Sequence, residues 1–426
     1  MVNHPLFPLL LVWFFGAYIL KSSAITDPSD VHALIQVKLA VDPSTIREGS
    51  CMATWNFSVD PCDNLFGMYF SCGIACSRDR NGAQRVTRLK LDGSGYSGTL
   101  SPAVGNLSSL QQLQIEGNTF SGSVPSSIGQ LHQLVILDLS ENLFTGRLPS
   151  SIFEGLRTLQ ILNINGNLLS GTLPITVSSI VNLVKCRLQN NQFTGYLPDL
   201  SSLKQLRLLD LSGNRFYGSL PLKFPPSLFS ASFRNNLLRG GFTKQHVRAL
   251  NPALVVLDVS TNRLSGPVDA SLFQHPSLQQ LILANNSFTM LINELSGEDM
   301  HMEKSQMVAI DMSNNRIGGL LPRMFAVMPN LSSLSLSNNA FYGQINVSYA
   351  IKALSERAGM QPLQRMMLNG NYLTGPLPSL FMKLSPENTM ASLVDNCLPS
   401  CPSRLFFCQG ADQKPISLCR LYNVNV

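Results

Sequence analysis

A chain of 426 residues with a formal charge of +6 and only 13% Asp, Glu, Lys and Arg is lightly charged for its size. It has no Lys/Arg run and no basic helix, which argues against nucleic acid as a partner, while the mild positive balance permits attraction to acidic polymers or acidic proteins. With 44% hydrophobic residues there is ample material for a core, and the low charge leans toward an extracellular surface.

The chain opens on an apolar run, LFPLLLVWFFGAYIL at 6–20, followed by Lys21 and Ser22-Ser23-Ala24. A run of about 15 apolar residues closed by small ones fits a secretory signal cleaved near Ala24, and it is short for a bilayer span. No later stretch reaches 18 apolar residues, so no transmembrane span is expected in the mature chain. The final LCRLYNVNV likewise lacks the apolar tail of a lipid anchor.

Four cysteines precede the main body (Cys51, Cys62, Cys72, Cys76) and four follow it (Cys397, Cys401, Cys408, Cys419), with Cys186 alone between them. In a secreted chain such clusters read as disulfides, each with three possible pairings. Two Cys-x3-Cys spacings lack a nearby histidine, so no metal is expected. Sequons at Asn56, Asn106, Asn285, Asn330 and Asn346 are candidate glycosylation sites.

Between the clusters a nine-residue pattern, LxxLxLxxN, recurs twelve times. A loose copy, VTRLKLDGS, stands at 86–94. LQQLQIEGN (110–118), LVILDLSEN (134–142), LQILNINGN (159–167), LVKCRLQNN (183–191), LRLLDLSGN (206–214) and LFSASFRNN (228–236) follow. The series ends with LVVLDVSTN, LQQLILANN, MVAIDMSNN, LSSLSLSNN and LQRMMLNGN, the last at 363–371. Apolar residues at positions four and six fit a short strand with one buried face. The closing asparagine both donates and accepts, so it can satisfy turn and neighbouring backbone groups. No coil buries its own edge, so the coils must stack into a solenoid.

The period stretches twice, around 287–306 and around 345–362, where YAIKALSERA has helical propensity. Such insertions leave a solenoid as loops or short helices. Met307, Met312 and Met366 fall at core positions.

The register also sorts side chains by face. Positions three and five point outward. Cys186, at position four, is expected in the core, while Lys185 and Arg187 face outward. Arg207 and Arg234 on the next two coils are expected to extend this basic patch, and Arg88 with Lys90 repeats it on the first coil. Asp138, Asp210 and Asp258 offer balancing charge. Ile136, Ile161, Leu208, Val256 and Ile282 make the outward strip partly apolar, which suits an extended peptide or a protein surface. The six histidines share no repeat position, and no nucleophile elbow, Walker loop or metal spacing is present. No catalytic residue and no cofactor is expected.

After the asparagine many copies run on as NTFSGSVP, NLFTGRLP, NLLSGTLP, NQFTGYLP or NYLTGPLP. Together the two halves resemble the plant-type extracellular leucine-rich repeat over roughly 86–380. That resemblance implies an α/β repeat solenoid: a right-handed superhelical arc with a concave parallel sheet, an extra strand after Ser-Gly, and disulfide-capped ends. DVHALIQVKLAV at 30–41 resembles the family's N-terminal capping helix. TWNFSVDPC with FSC resembles its capping motif, which implies a Cys62–Cys72 pair and leaves Cys51 for Cys76. The organisation expected is a signal at 1–24, a cap at 25–85, repeats over 86–390 and a cysteine cap at 391–426.

The chain is similar to the ectodomains of receptor-like proteins and receptor kinases. This implies recognition of a peptide or protein in signalling or defence, with a receptor-kinase ectodomain as partner. The setting implied is the extracellular space or cell wall, with membrane association only through that partner. In related peptide-hormone receptors paired arginines take a ligand's terminal carboxylate; Lys185-Cys186-Arg187 is similar, although lysine lacks the guanidinium fork. The alternatives are an inhibitor resembling polygalacturonase-inhibiting proteins and a structural wall protein held by charge.

Overall fold

The computed structural model describes residues 25–292, 302–356 and 358–420. The expected signal segment and part of the first insertion lie outside these residues. The molecule is a solenoid arc built on two long sheets. The inner, concave sheet has fourteen strands and the second sheet twelve. Each of the twelve repeat copies gives the inner sheet one strand, covering positions three to five and pairing in parallel with its neighbours. A thirteenth coil follows where the cysteine cap was expected to begin, with a strand at Met390–Ser392 paired to Arg365–Met367. At the other end Ile74–Arg78 pairs antiparallel with Gln84–Lys90 and covers the first coil.

The strands are short for a backbone reason. In every coil from 110–118 onward position eight is left-handed, with φ between +52° and +71°. Glycine and asparagine tolerate that conformation best, which explains their recurrence there. Position nine then closes a ladder. The Asn191 Nδ2 donates to Leu188 O at 3.2 Å in its own coil and to Ile164 O at 2.9 Å in the preceding one. Its Oδ1 accepts from Leu169 N at 3.1 Å. The same bonds recur from Asn118 to Asn396. A ladder of buried amides is sustainable because every amide is paired.

The second sheet follows the Ser-Gly part of each coil, from Ser97–Thr99 to Tyr372–Thr374. Some of its glycines have a packing reason beyond their positive φ: a methyl group on Gly218 would sit 2.5 Å from the Tyr196 ring of the preceding coil. Between the sheets lies one continuous apolar core, with stacked rings such as Phe193–Phe216. Met307, Met312 and Met366 are fully buried in it, in leucine's place.

At the N-terminal end the helix Pro28–Leu39 starts at Asp27, whose carboxylate accepts from Ser29 N, and it buries Ala33, Leu34 and Val37. Its buried Asp30 pairs with Arg85 at 2.8 Å and accepts from Val86 N, which ties the cap to the first coil. The cysteine pairing implied by the family motif is corrected here: Cys51 bonds Cys72, and Cys62 bonds Cys76. The cause is local. Phe70 N and Ser71 N both bond Thr54, and Cys72 O accepts from Trp55 Nε1. These bonds lay 70–72 along the turn that carries Cys51, so Cys76 is left to Cys62. At the other end Cys397 pairs with Cys419 and Cys401 with Cys408.

The second insertion forms the helix Ser348–Ala353. Its Lys352 is buried and donates to Met328 O and Pro329 O of the preceding coil. Among the described residues no helix is long and apolar enough to cross a membrane.

Candidate recognition face

The outward positions of the inner sheet form two rows. Position three runs Arg88, Gln112, Ile136, Ile161, Lys185, Leu208, Ser230 and Val256 in register. Position five runs Lys90, Gln114, Asp138, Asn163, Arg187, Asp210, Ser232 and Asp258. Lys185 therefore stands between Ile161 and Leu208, and Arg187 between Asn163 and Asp210. The structure brings these six residues together.

Cys186, between the two cations, points the other way and is 2% exposed. Burial, with the charge of Asp210 adding to it, pushes its thiol up to about 12. A thiol held protonated is a poor nucleophile whatever cations stand next to it in sequence.

Arg207 and Arg234 stand elsewhere. Arg207 immediately precedes the strand Leu208–Asp210, and Arg234 lies two residues beyond Ser230–Ser232. Both are exposed, at positions two and seven of their coils, off the two outward rows. On the first coil Lys90 pairs with Glu116 at 3.6 Å, so that copy of the patch is partly neutralised.

The aspartates do not balance the central cations as their sequence positions suggested. Asp138, Asp210, Asp258 and Asp311 each turn one oxygen back onto the serine two residues on, accepting from both its N–H and its hydroxyl. This closes the strand end with an Asx turn. The recurring Asp-x-Ser was visible in the sequence but was read there only as charge. Among the described residues Lys185 and Arg187 have no ion pair. Beside them two enclosed acceptors, Asn163 Oδ1 and Gln189 Oε1, have no donor. The Asn163 amide nitrogen instead goes to Asp138 Oδ2 at 2.9 Å. Outward cations without an acid partner are equipped to take a carboxylate from an extended ligand.

Of the sequon asparagines, Asn106 and Asn285 are exposed, whereas Asn56, Asn330 and Asn346 are half-buried. The insertion helix walls a polar cleft of about 620 Å³ lined by Leu354, Ser355, Glu356, Gln364, Glu387 and Met390, among others. No cluster of three or more metal-ligating side chains occurs among the described residues.

A sequence profile of the family described as Leucine Rich Repeat matches residues 109–131, 133–154 and 205–231. Receptor-like protein 35 of Arabidopsis thaliana is 32% identical over 152 residues, which span 34% of this chain and 16% of that protein. Receptor-like protein 41 of the same organism is 35% identical over 147 residues, with 34% and 16% covered. Each match thus spans less than a fifth of the relative's length. Among solved structures, the PEPR1–AtPEP1 complex is similar at a TM-score of 0.62 and 26% identity, covering 91% of this chain and 58% of that one. The plant peptide hormone receptor RGFR1 in complex with RGF2 is similar at 0.58 and 27%, covering 71% and 50%. The repeat, the asparagine ladder, the paired sheets and these likenesses support a place for the chain in a plant extracellular leucine-rich-repeat family.

Proposed function

We propose that the protein is an extracellular recognition protein that binds a peptide, or an extended segment of a protein, along its inner sheet near Lys185 and Arg187. The observation that carries this reading is the unneutralised pair of cations, with Lys185 flanked by Ile161 and Leu208 on the outward row. A ligand carboxylate would meet Arg187 and Lys185, and an apolar side chain would cover Ile161 or Leu208. The likeness to PEPR1 and RGFR1, each solved with the partner that names its complex, supports the same direction. A role in cell-surface signalling or defence would run through a receptor-kinase ectodomain bound alongside.

Affinity capture from extracellular fluid tests this, comparing the protein with its K185E/R187E variant. A peptide or receptor ectodomain retained by the first and lost by the second is the expected result. Equal capture by both refutes the assignment of this face, and capture of a secreted pectinase would favour the inhibitor reading instead.

A further inference from the structure

The cations of this chain are not evenly spread. From residue 211 to residue 257 there is no Asp or Glu, while Arg215, Lys223, Arg234, Arg239, Lys244 and Arg248 all fall there. These six match the whole formal excess of +6. The net charge of the molecule is thus concentrated on little more than two coils.

Part of this charge forms a strip on the second sheet, away from the inner face. Arg215 and Tyr217 share the outward side of the strand Arg215–Gly218. Arg239 and Arg263 are register partners on adjacent parallel strands, so their backbones lie about 4.8 Å apart. Both are exposed, and among the described residues no carboxylate lies within ion-pair distance of Arg215, Arg239 or Arg263. Like charges side by side on a sheet cost stability. The fold does not demand them, because other coils carry Ser121, Thr145, Ser170 and Thr194 where coil seven carries Arg239.

Two tyrosines continue the strip. Tyr196 is 71% exposed and Tyr217 41% exposed, with ring centroids 4.9 Å apart at 66°. The Tyr196 ring packs beside Gly218, at a place where any larger residue would collide with it. Tyr217 is the register partner of Leu237, two residues before Arg239. Tyr196, Tyr217, Arg239 and Arg263 therefore run diagonally across four successive coils.

We propose that this strip binds an acidic polysaccharide, a linear chain of uronate sugars. Guanidinium groups pair in a fork with carboxylates, and tyrosine rings offer flat apolar faces to the C–H side of a sugar. An extended row of such groups on an open sheet suits a linear polymer that repeats both features. An acidic protein fits less well, because a protein interface centres on a desolvated apolar core; here Leu237, the register partner of Tyr217, is already half-buried. This site is independent of the inner-sheet reading and would hold the protein to an acidic matrix while the concave face stays open.

The test measures binding of a size-defined oligogalacturonate, and of its fully methyl-esterified form, to the full chain. Wild type should bind the acid form, with affinity falling as salt rises, and should not bind the ester. R239S/R263S should bind about tenfold more weakly, two exposed charge contacts being worth roughly half a decade each. Y196A should weaken binding without changing the salt dependence. R78S/R80S removes two exposed cations from the N-terminal hairpin and should bind as wild type. Equal weakening by both double variants would mean net charge alone attracts the polymer, and would overturn the site. Undiminished binding by R239S/R263S, equal binding of the ester, or retention of an acidic protein but no polysaccharide would overturn it too. K185E/R187E should keep polysaccharide binding, so failure of one reading leaves the other standing.

Discussion

Replacing Asn191 with alanine tests whether the asparagine ladder holds the coils together. The amide makes bonds on two coils and is 8% exposed. Not all of them are lost equally. Ile164 O keeps a second donor in Asn167 Nδ2 at 3.2 Å, and Leu188 O keeps Asn214 Nδ2 at 3.0 Å. The Leu169 N–H loses the acceptor it had in Asn191 Oδ1, inside a fully buried residue. An orphaned buried N–H costs about 1–3 kcal/mol, and the lost 2.9 Å bond to Ile164 O adds about 1 kcal/mol. The expected loss is therefore about 2–4 kcal/mol. Asn191→Asp adds a charge facing carbonyl oxygens, which raises the carboxyl's folded pKa. The native state then binds the extra proton, so this variant should lose stability as pH rises from about 4, where a free Asp titrates. Because solenoid stability is a sum of neighbouring coils, the assay is native-state hydrogen exchange over 160–195, supported by urea midpoints. A cost below about 1 kcal/mol for both variants, typical of an ordinary surface position, would refute the ladder's energetic role.

Thr261 occupies the left-handed position eight at φ +54°, where a β-branched side chain is strained; Thr261→Asn should raise the urea midpoint by the equivalent of about 1 kcal/mol, and no gain would mean the strain is absorbed elsewhere. Cys186 should resist alkylation at pH 8 in the native protein and react on unfolding, while Cys186→Ala should leave any capture by Lys185 and Arg187 intact; rapid native labelling would place the thiol on the surface instead. His275 donates from Nε2 to Asn251 O and accepts at Nδ1 from Leu278 N, and burial holds its pKa below 6.5. The unfolded chain then binds the proton more readily, so this contribution is complete above pH 6.5 and shrinks as pH falls. The slope of urea midpoint against pH between 7.5 and 5 should flatten in His275→Gln, and an unchanged slope would assign it to other groups.

The solenoid was legible because its signal is periodic: apolar positions four and six, and asparagine at nine, recur often enough to outvote irregular copies. The register carried Cys186 inward and Lys185 and Arg187 outward, as the structure has them. Three features escaped for physical reasons. Pairing among Cys51, Cys62, Cys72 and Cys76 depends on where Phe70–Cys72 runs beside Thr54, a tertiary contact that no spacing encodes. The thirteenth coil, NTMASLVDN at 388–396, carries Ala391 at position four and Asn388 at position one, too weak an apolar signature beside the cysteines. The free state of Arg187 depends on Asp210 turning to Ser212 rather than to its register neighbour. Charge in sequence is not charge balance in space.

That last point links the two faces. In four coils the acid at position five closes the strand end on its own serine, which limits its power to neutralise cations nearby. Arginines on or beside such coils stay free at no cost to the turn: Arg187 is the register neighbour of Asp210, Arg263 shares the coil of Asp258, and Arg239 stands on the coil between those two. A coil can thus change its outward residues while positions four, six, eight and nine keep the stack intact. The two faces of one coil are separated by the core, and each contacts chiefly the coils on either side. Substitutions on one face should therefore add to those on the other with little coupling. K185E/R187E combined with R239S/R263S should lose protein capture and polysaccharide binding by the same amounts as the separate pairs. A clear departure from additivity would mean that the faces communicate through the intervening coils.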